Sequence, residues 1–140
     1  MTTGYTLEAL SIDQTATYIK TVTQEDVQSF AHITGDTNPV HLDADFAATT
    51  SFGKPIAHGM LSAGFISAAI GTKLPGPGCI YLEQNLKFRA PVYIGQDVIT
   101  TITVAEINER RRRVTLKTAC ECDGKVVVSG EAIVMIPAAS

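Results

Sequence analysis

No uninterrupted apolar stretch in this 140-residue chain approaches the roughly 18 to 20 residues that a membrane-spanning helix requires, because charges break every run. A basic excess is missing as well: 11 Lys and Arg stand against 14 Asp and Glu, a formal charge of −3. Such a balance offers no general attraction to phosphate backbones or anionic lipid, so neither a nucleic-acid nor a membrane partner is expected. Cysteine is scarce and odd in number, with only Cys79, Cys120 and Cys122. The opening MTTGYTLEAL has neither a basic start nor an apolar run. A disulfide framework and a secretory leader are therefore not expected, and the reducing cytoplasm is the expected compartment. Cys120 and Cys122 lack the two-residue gap and the second ligand pair of a zinc site, and at period two both thiols fall on one face of a strand, where they pack. Internal repeats and low-complexity segments are absent from the sequence.

What is present is enough apolar material for one core. With 45% hydrophobic and 18% charged residues the chain lies far from the composition of disordered segments. Its length suits one domain over residues 1–140, which on folding buries about two thirds of the unfolded surface. Residues 15–22, rich in Thr and β-branched types, read as a first strand. Thr23 with Asp26 three residues on forms a capping-box variant, and Val27, Phe30, Ala31 and Thr34 repeat at helical spacing up to Gly35. That predicts a helix over 24–34. Asn38-Pro39 predicts a rigid loop through Leu42, and Asp43 caps a short helix through Ala48. Residues 59–72 carry no charge and are apolar or small all round, which predicts a buried helix. Four strands follow, at about 79–89, 97–107, 111–122 and 125–136, the last two joined by the hairpin signal Asp123-Gly124. The sum is an α+β layout: an antiparallel five-stranded sheet against one long apolar helix.

The chemistry concentrates in Gly35-Asp36-Thr37-Asn38-Pro39-Val40-His41, which sets a carboxylate and an imidazole five residues apart on a proline-stiffened loop. An Asp and His pair is simple equipment for moving protons to and from a water. The same residues also suit an Asx turn with a packed histidine. Phe30, Ile33, Thr34, Gly35, Asp36, Asn38, Pro39, Val40, His41 and Ala47 together resemble the hydratase motif of the R-specific enoyl-CoA hydratases, or hydratase 2, among the MaoC-like hot-dog proteins. A second element of that family, Pro55-Ile56-Ala57-His58-Gly59-Met60, follows at the expected place.

The resemblance implies a hot-dog fold, the sheet wrapped around the long helix, and a homodimer with the two sheets joined edge to edge. It implies reversible syn addition of water to a trans-2-enoyl-CoA, giving the (R)-3-hydroxyacyl-CoA. Coenzyme A is then part of the substrate, and no metal or other cofactor is required. Asp36 is assigned as base, with His41 orienting the water and sharing the proton traffic, although the motif alone leaves their roles interchangeable. Gly59 is the candidate for a backbone N–H donor to the developing oxyanion, against the simpler reading that it lets helix and sheet pack closely. Asn38, Ser67 and His58 are expected around the substrate. Ser67 competes with Ser62 as the supporting hydroxyl, and His58 reads as a hydrogen-bonded neighbour rather than a third catalyst. His32 is expected in solvent. Residues 110–113, four consecutive arginines, are expected to begin a strand with two on each face, either as a solvated edge or, with Lys87 and Arg89, as contacts for the coenzyme A phosphates. Ala63, Ala68 and Ala69 either leave room for an acyl chain or pack tightly. A short enoyl chain, as in polyhydroxyalkanoate precursor supply, is the expected substrate, with hot-dog acyl-CoA thioesterase activity as the alternative.

Overall fold

The computed structural model describes residues 3–138. Five strands, β1 (Thr15–Thr21), β2 (Ile80–Phe88), β3 (Asp97–Asn108), β4 (Arg113–Cys122) and β5 (Lys125–Met135), form one antiparallel sheet in the order β1-β3-β4-β5-β2. Period-two alternation decides which face is covered. Val98, Thr100, Ile102 and Val104 on β3 and Val114, Leu116, Thr118, Cys120 and Cys122 on β4 are buried. The register pairs Thr100 with Cys120, Ile102 with Thr118 and Val104 with Leu116, so the buried positions stack across the ladder. Both buried thiols share that face, as the spacing predicts. Asp123 and Gly124 take φ of 51° and 76°, the two left-handed positions of a type I′ hairpin.

Among the described residues, four α-helices, α1 (Gln24–Thr34), α2 (Pro39–Leu42), α3 (Ala44–Ala48) and α4 (Gly59–Thr72), and a 3₁₀ turn at Leu7–Ala9 complete the fold. Thr23 caps α1 through a capping box with Asp26 and Gly35 ends it, as expected. The long helix α4 lies against the concave sheet face, with Phe65, Ile66, Ala69 and Ile70 buried in the same cluster as Ile102 and Leu116. This is the hot-dog arrangement. Its burial is one-sided, however. Met60, Gly64 and Ser67 are exposed, because only one face of the cylinder meets the sheet.

Two expectations are corrected. Residues 39–42 are a single helical turn rather than a loop. Asn38 keeps the extended backbone that precedes a proline (φ −52°, ψ 122°), and it thereby serves as N-cap, while Pro39 takes the first helical position, where its missing N–H is not needed. The arginine run does not begin a strand with two residues on each face. Arg110, Arg111 and Arg112 lie in the β3–β4 turn, with Arg112 at φ 56°, and β4 starts at Arg113.

Candidate active site

Two loops build the site, and backbone hydrogen bonds hold them together. Gly35, at φ 80°, closes α1 in the left-handed conformation and turns the chain into Asp36. The Asp36 N–H donates to Thr34 Oγ1 (3.2 Å), the Asn38 N–H to Asp36 Oδ1 (3.3 Å) and the Val40 N–H to Asn38 Oδ1 (3.2 Å). The Asx turn foreseen as the simpler reading is therefore real, and it sets the carboxylate's position without using its second oxygen. His41 follows on α2. The second loop lies alongside, because the Ile56 N–H donates to the Val40 carbonyl (3.3 Å) and the Ala57 N–H to the Val92 carbonyl (2.7 Å).

Each of the two imidazoles is held by a carbonyl from the other loop. His41 Nδ1 lies 2.7 Å from the Ile56 carbonyl oxygen, and His58 Nε2 lies 3.0 Å from that of Asp36. A carbonyl only accepts, so both nitrogens carry the proton. Neutral His41 thus keeps its lone pair on Nε2. The rings stack on each other with centroids 3.9 Å apart and planes at 31°. Burial of the ring lowers the His41 pKa from its usual 6.5, with a smaller lowering from His58; the bond to Ile56 and the Asp36 charge act in the opposite direction. The net shift is downward, which leaves His41 neutral at pH 7.

Asp36, His41 and His58 offer ligating atoms within 4.8 Å of one another, the cluster among the described residues that most resembles a metal site.

Beside this trio opens a cavity of about 530 Å³. His41, His58 and the start of α4 (Gly59, Met60, Ser62) form one wall, Phe52, Ile56 and Ala57 a second, and residues 88–92 with Val128 the third. His58 occupies the N-cap of α4, yet its side chain makes no capping bond. The first N–H groups of a 14-residue helix therefore stay available at the cavity edge, where the helix dipole favours negative charge. A Cβ on Gly59 would lie 2.7 Å from the Phe88 ring, so glycine lets that aromatic wall close over the helix start.

Of the residues expected at the site, Asp36, His41, His58 and Gly59 come together. Asn38 is adjacent, but its side-chain oxygen is engaged in capping α2. Ser67 is exposed and lies away from the cavity, whereas Ser62 is buried and lines it. Five residues along a helix rotate a side chain by about 140°, so the two serines cannot share a face. Ala63, Ala68 and Ala69 do not line the cavity, and His32 is exposed as expected. Arg89 lies at the cavity, its Nε donating to Ser129 Oγ (2.7 Å). Arg112 is engaged elsewhere, with the Ile136 carbonyl (2.8 Å) and Glu8 (3.5 Å). Phe52, Phe88 and Val128 were not legible as site residues, because the topology rather than any local pattern delivers them.

A sheet wrapped around one helix, with an Asp–His loop at that helix's N-terminus, defines a hot-dog protein with a polar site at the mouth of an apolar cavity. Residues 10–126 match the MaoC like domain, and the chain belongs to that family. It is 52% identical over 131 residues to the (R)-specific enoyl-CoA hydratase of Rhodospirillum rubrum, covering 94% of this chain and 91% of that one. It is 49% identical to the 3-hydroxybutyryl-CoA dehydratase of Methylorubrum extorquens, over 93% of this chain and 83% of the other. Among solved structures, the unliganded R-hydratase PhaJ1 of Pseudomonas aeruginosa superposes with a TM-score of 0.92 at 47% identity, over 97% of this chain and 88% of that one.

The lowered His41 pKa has a direct readout. In an NMR titration its imidazole should show a midpoint below 6.5, with the neutral ring protonated on Nδ1. The unfolded chain binds that proton more readily than the folded one, so His41 contributes a loss of stability as pH falls below about 6.5. A midpoint above 6.5, or the other tautomer, would contradict the geometry.

Proposed function

We propose that the chain is an R-specific enoyl-CoA hydratase, a hydro-lyase that adds water reversibly and syn across a trans-2-enoyl-CoA. The observation that carries the reading is the Asp36 carboxylate within 4.8 Å of a ring nitrogen of His41, whose Nε2 lone pair is free and whose side chain lines an apolar cavity beside an uncapped helix start. With His41 neutral, the protons of the reaction come from the water itself. In our assignment Asp36 takes one proton, His41 accepts the other O–H at Nε2, and the water oxygen bonds to C3. The C2–C3 π electrons move toward the thioester carbonyl. The Gly59 N–H stabilises the charge that develops on its oxygen. Return of the proton to C2 from the same side completes a syn addition, with every atom accounted for by one water and no cofactor.

The coenzyme A phosphates need a cation at the cavity mouth, and Arg89 is the arginine that lines it. A short enoyl chain suits the reading, as does the name of the dehydratase relative from Methylorubrum. Three free thiols suit a reducing cytoplasm. The homodimer would form at the open edge of β2, where Ile80, Tyr81 and Leu82 are exposed by 43%, 38% and 39%.

Asp36→Asn should lower kcat for hydration of crotonyl-CoA by about 10²- to 10⁴-fold, the usual size of a lost general base, with the fold intact. The loss of enoyl absorbance reports it, and a variant with full rate would remove Asp36 from the mechanism. Release of free thiol in place of hydration would indicate the thioesterase. Arg89→Ala should raise KM several-fold with little change in kcat, and an unchanged KM would take Arg89 out of the coenzyme A site. Light scattering at micromolar concentration should give twice the 14.9 kDa chain mass; a monomer would contradict the edge pairing.

A further inference from the structure

His58 is 2% exposed, and its Nδ1 is buried without a hydrogen-bond partner. As a packing residue it is a poor choice, because phenylalanine or methionine would fill a similar volume without an orphaned acceptor. As an N-cap it is equally poor, since its side chain turns away from the helix it should cap. What the ring does instead is touch both members of the candidate catalytic pair. Its Nε2–H donates to the Asp36 carbonyl across 22 residues of chain (3.0 Å), and its face stacks on His41 at 3.9 Å. Phe30 packs against it at 4.7 Å. His58 also directly precedes Gly59, so one rigid residue links the carboxylate loop, the imidazole and the N–H donor.

We propose that His58 is a positioning residue, whose bond to the Asp36 carbonyl and stack on His41 hold the carboxylate and the Nε2 lone pair at the separation one water bridges. The proposal rests on the hydratase reading above. The bond and the stack are separable by substitution. His58→Phe keeps a ring to stack and removes both the donor and the orphaned nitrogen. His58→Gln keeps an N–H donor and removes the ring.

The positioning role predicts an inversion between stability and activity. His58→Phe should melt at or above the wild-type Tm and yet lose about 10- to 100-fold in kcat on crotonyl-CoA, with KM within twofold, the scale of a catalytic group misplaced by about 1 Å. His58→Gln should melt lower than His58→Phe and recover kcat to within about tenfold of wild type. Should the phenylalanine variant fail to fold, His58→Met supplies the donor-free comparison. Amide exchange reads the same claim without substrate: the Asn38 and Val40 N–H groups should exchange faster in the donor-free variant at unchanged Tm. Wild-type kcat in that variant, kcat and Tm falling in step in both variants, or unaltered exchange at Asn38 and Val40 would overturn the positioning role. A wild-type protein that leaves enoyl-CoA untouched would overturn the hydratase reading, and exchange would still decide the role of His58.

Discussion

The site depends on two hydrogen bonds that cross between two loops: His41 Nδ1–H to the Ile56 carbonyl and His58 Nε2–H to the Asp36 carbonyl. Neither is a strong interaction by itself, since a hydrogen bond between neutral groups contributes only about 1 kcal/mol net. Their effect lies in what they specify. A carbonyl acceptor leaves no choice of which nitrogen carries the proton, so the two bonds set both tautomers, orient both rings and tie residues 36–41 to residues 56–58. A flexible loop carrying the same aspartate and histidine would spread the pair over many separations.

The long helix joins this local order to the fold. Its buried face, through Phe65, Ile66, Ala69 and Ile70, belongs to the core under the sheet. Its first turn belongs to the cavity. The start of a helix normally carries a cap for its unpaired N–H groups, and here the residue at the cap position spends its side chain on the neighbouring loop. Helix stability is not lost, because packing of the apolar face rather than the terminus holds the element in place. The free N–H groups thereby become a feature of the site.

Much of this was legible in the sequence, for physical reasons that differ from element to element. The strands declare themselves by alternation, α1 by its capping box and glycine stop, the hairpin by Asp123-Gly124, and α4 by the absence of charge. The Asp36–His41 loop was legible from residue chemistry at short spacing, and the motif resemblance raised it from an Asx turn to a site. One difference is instructive. Asn38-Pro39 predicts a rigid loop, whereas proline at the first helical position starts a helix. Which of Ser62 and Ser67 faces the cavity is decided by the rotation of α4 against the sheet, which no local pattern shows. Phe88 and Arg89 lie at the end of β2, which is next to β5 in the sheet, and nothing within residues 88–92 shows that this end closes over Gly59.

The most direct test of the account is the stereochemistry of water addition. Crotonyl-CoA hydrated by the wild-type protein in D₂O, with the product examined by NMR and by an R-specific dehydrogenase, reads the configuration at C3 and the face of deuterium at C2 together. A single deuterium placed syn to the new hydroxyl in (R)-3-hydroxybutyryl-CoA is the predicted result. An S product, anti addition, or no hydration by the folded protein would contradict a water held between Asp36 and His41 on one face of the substrate.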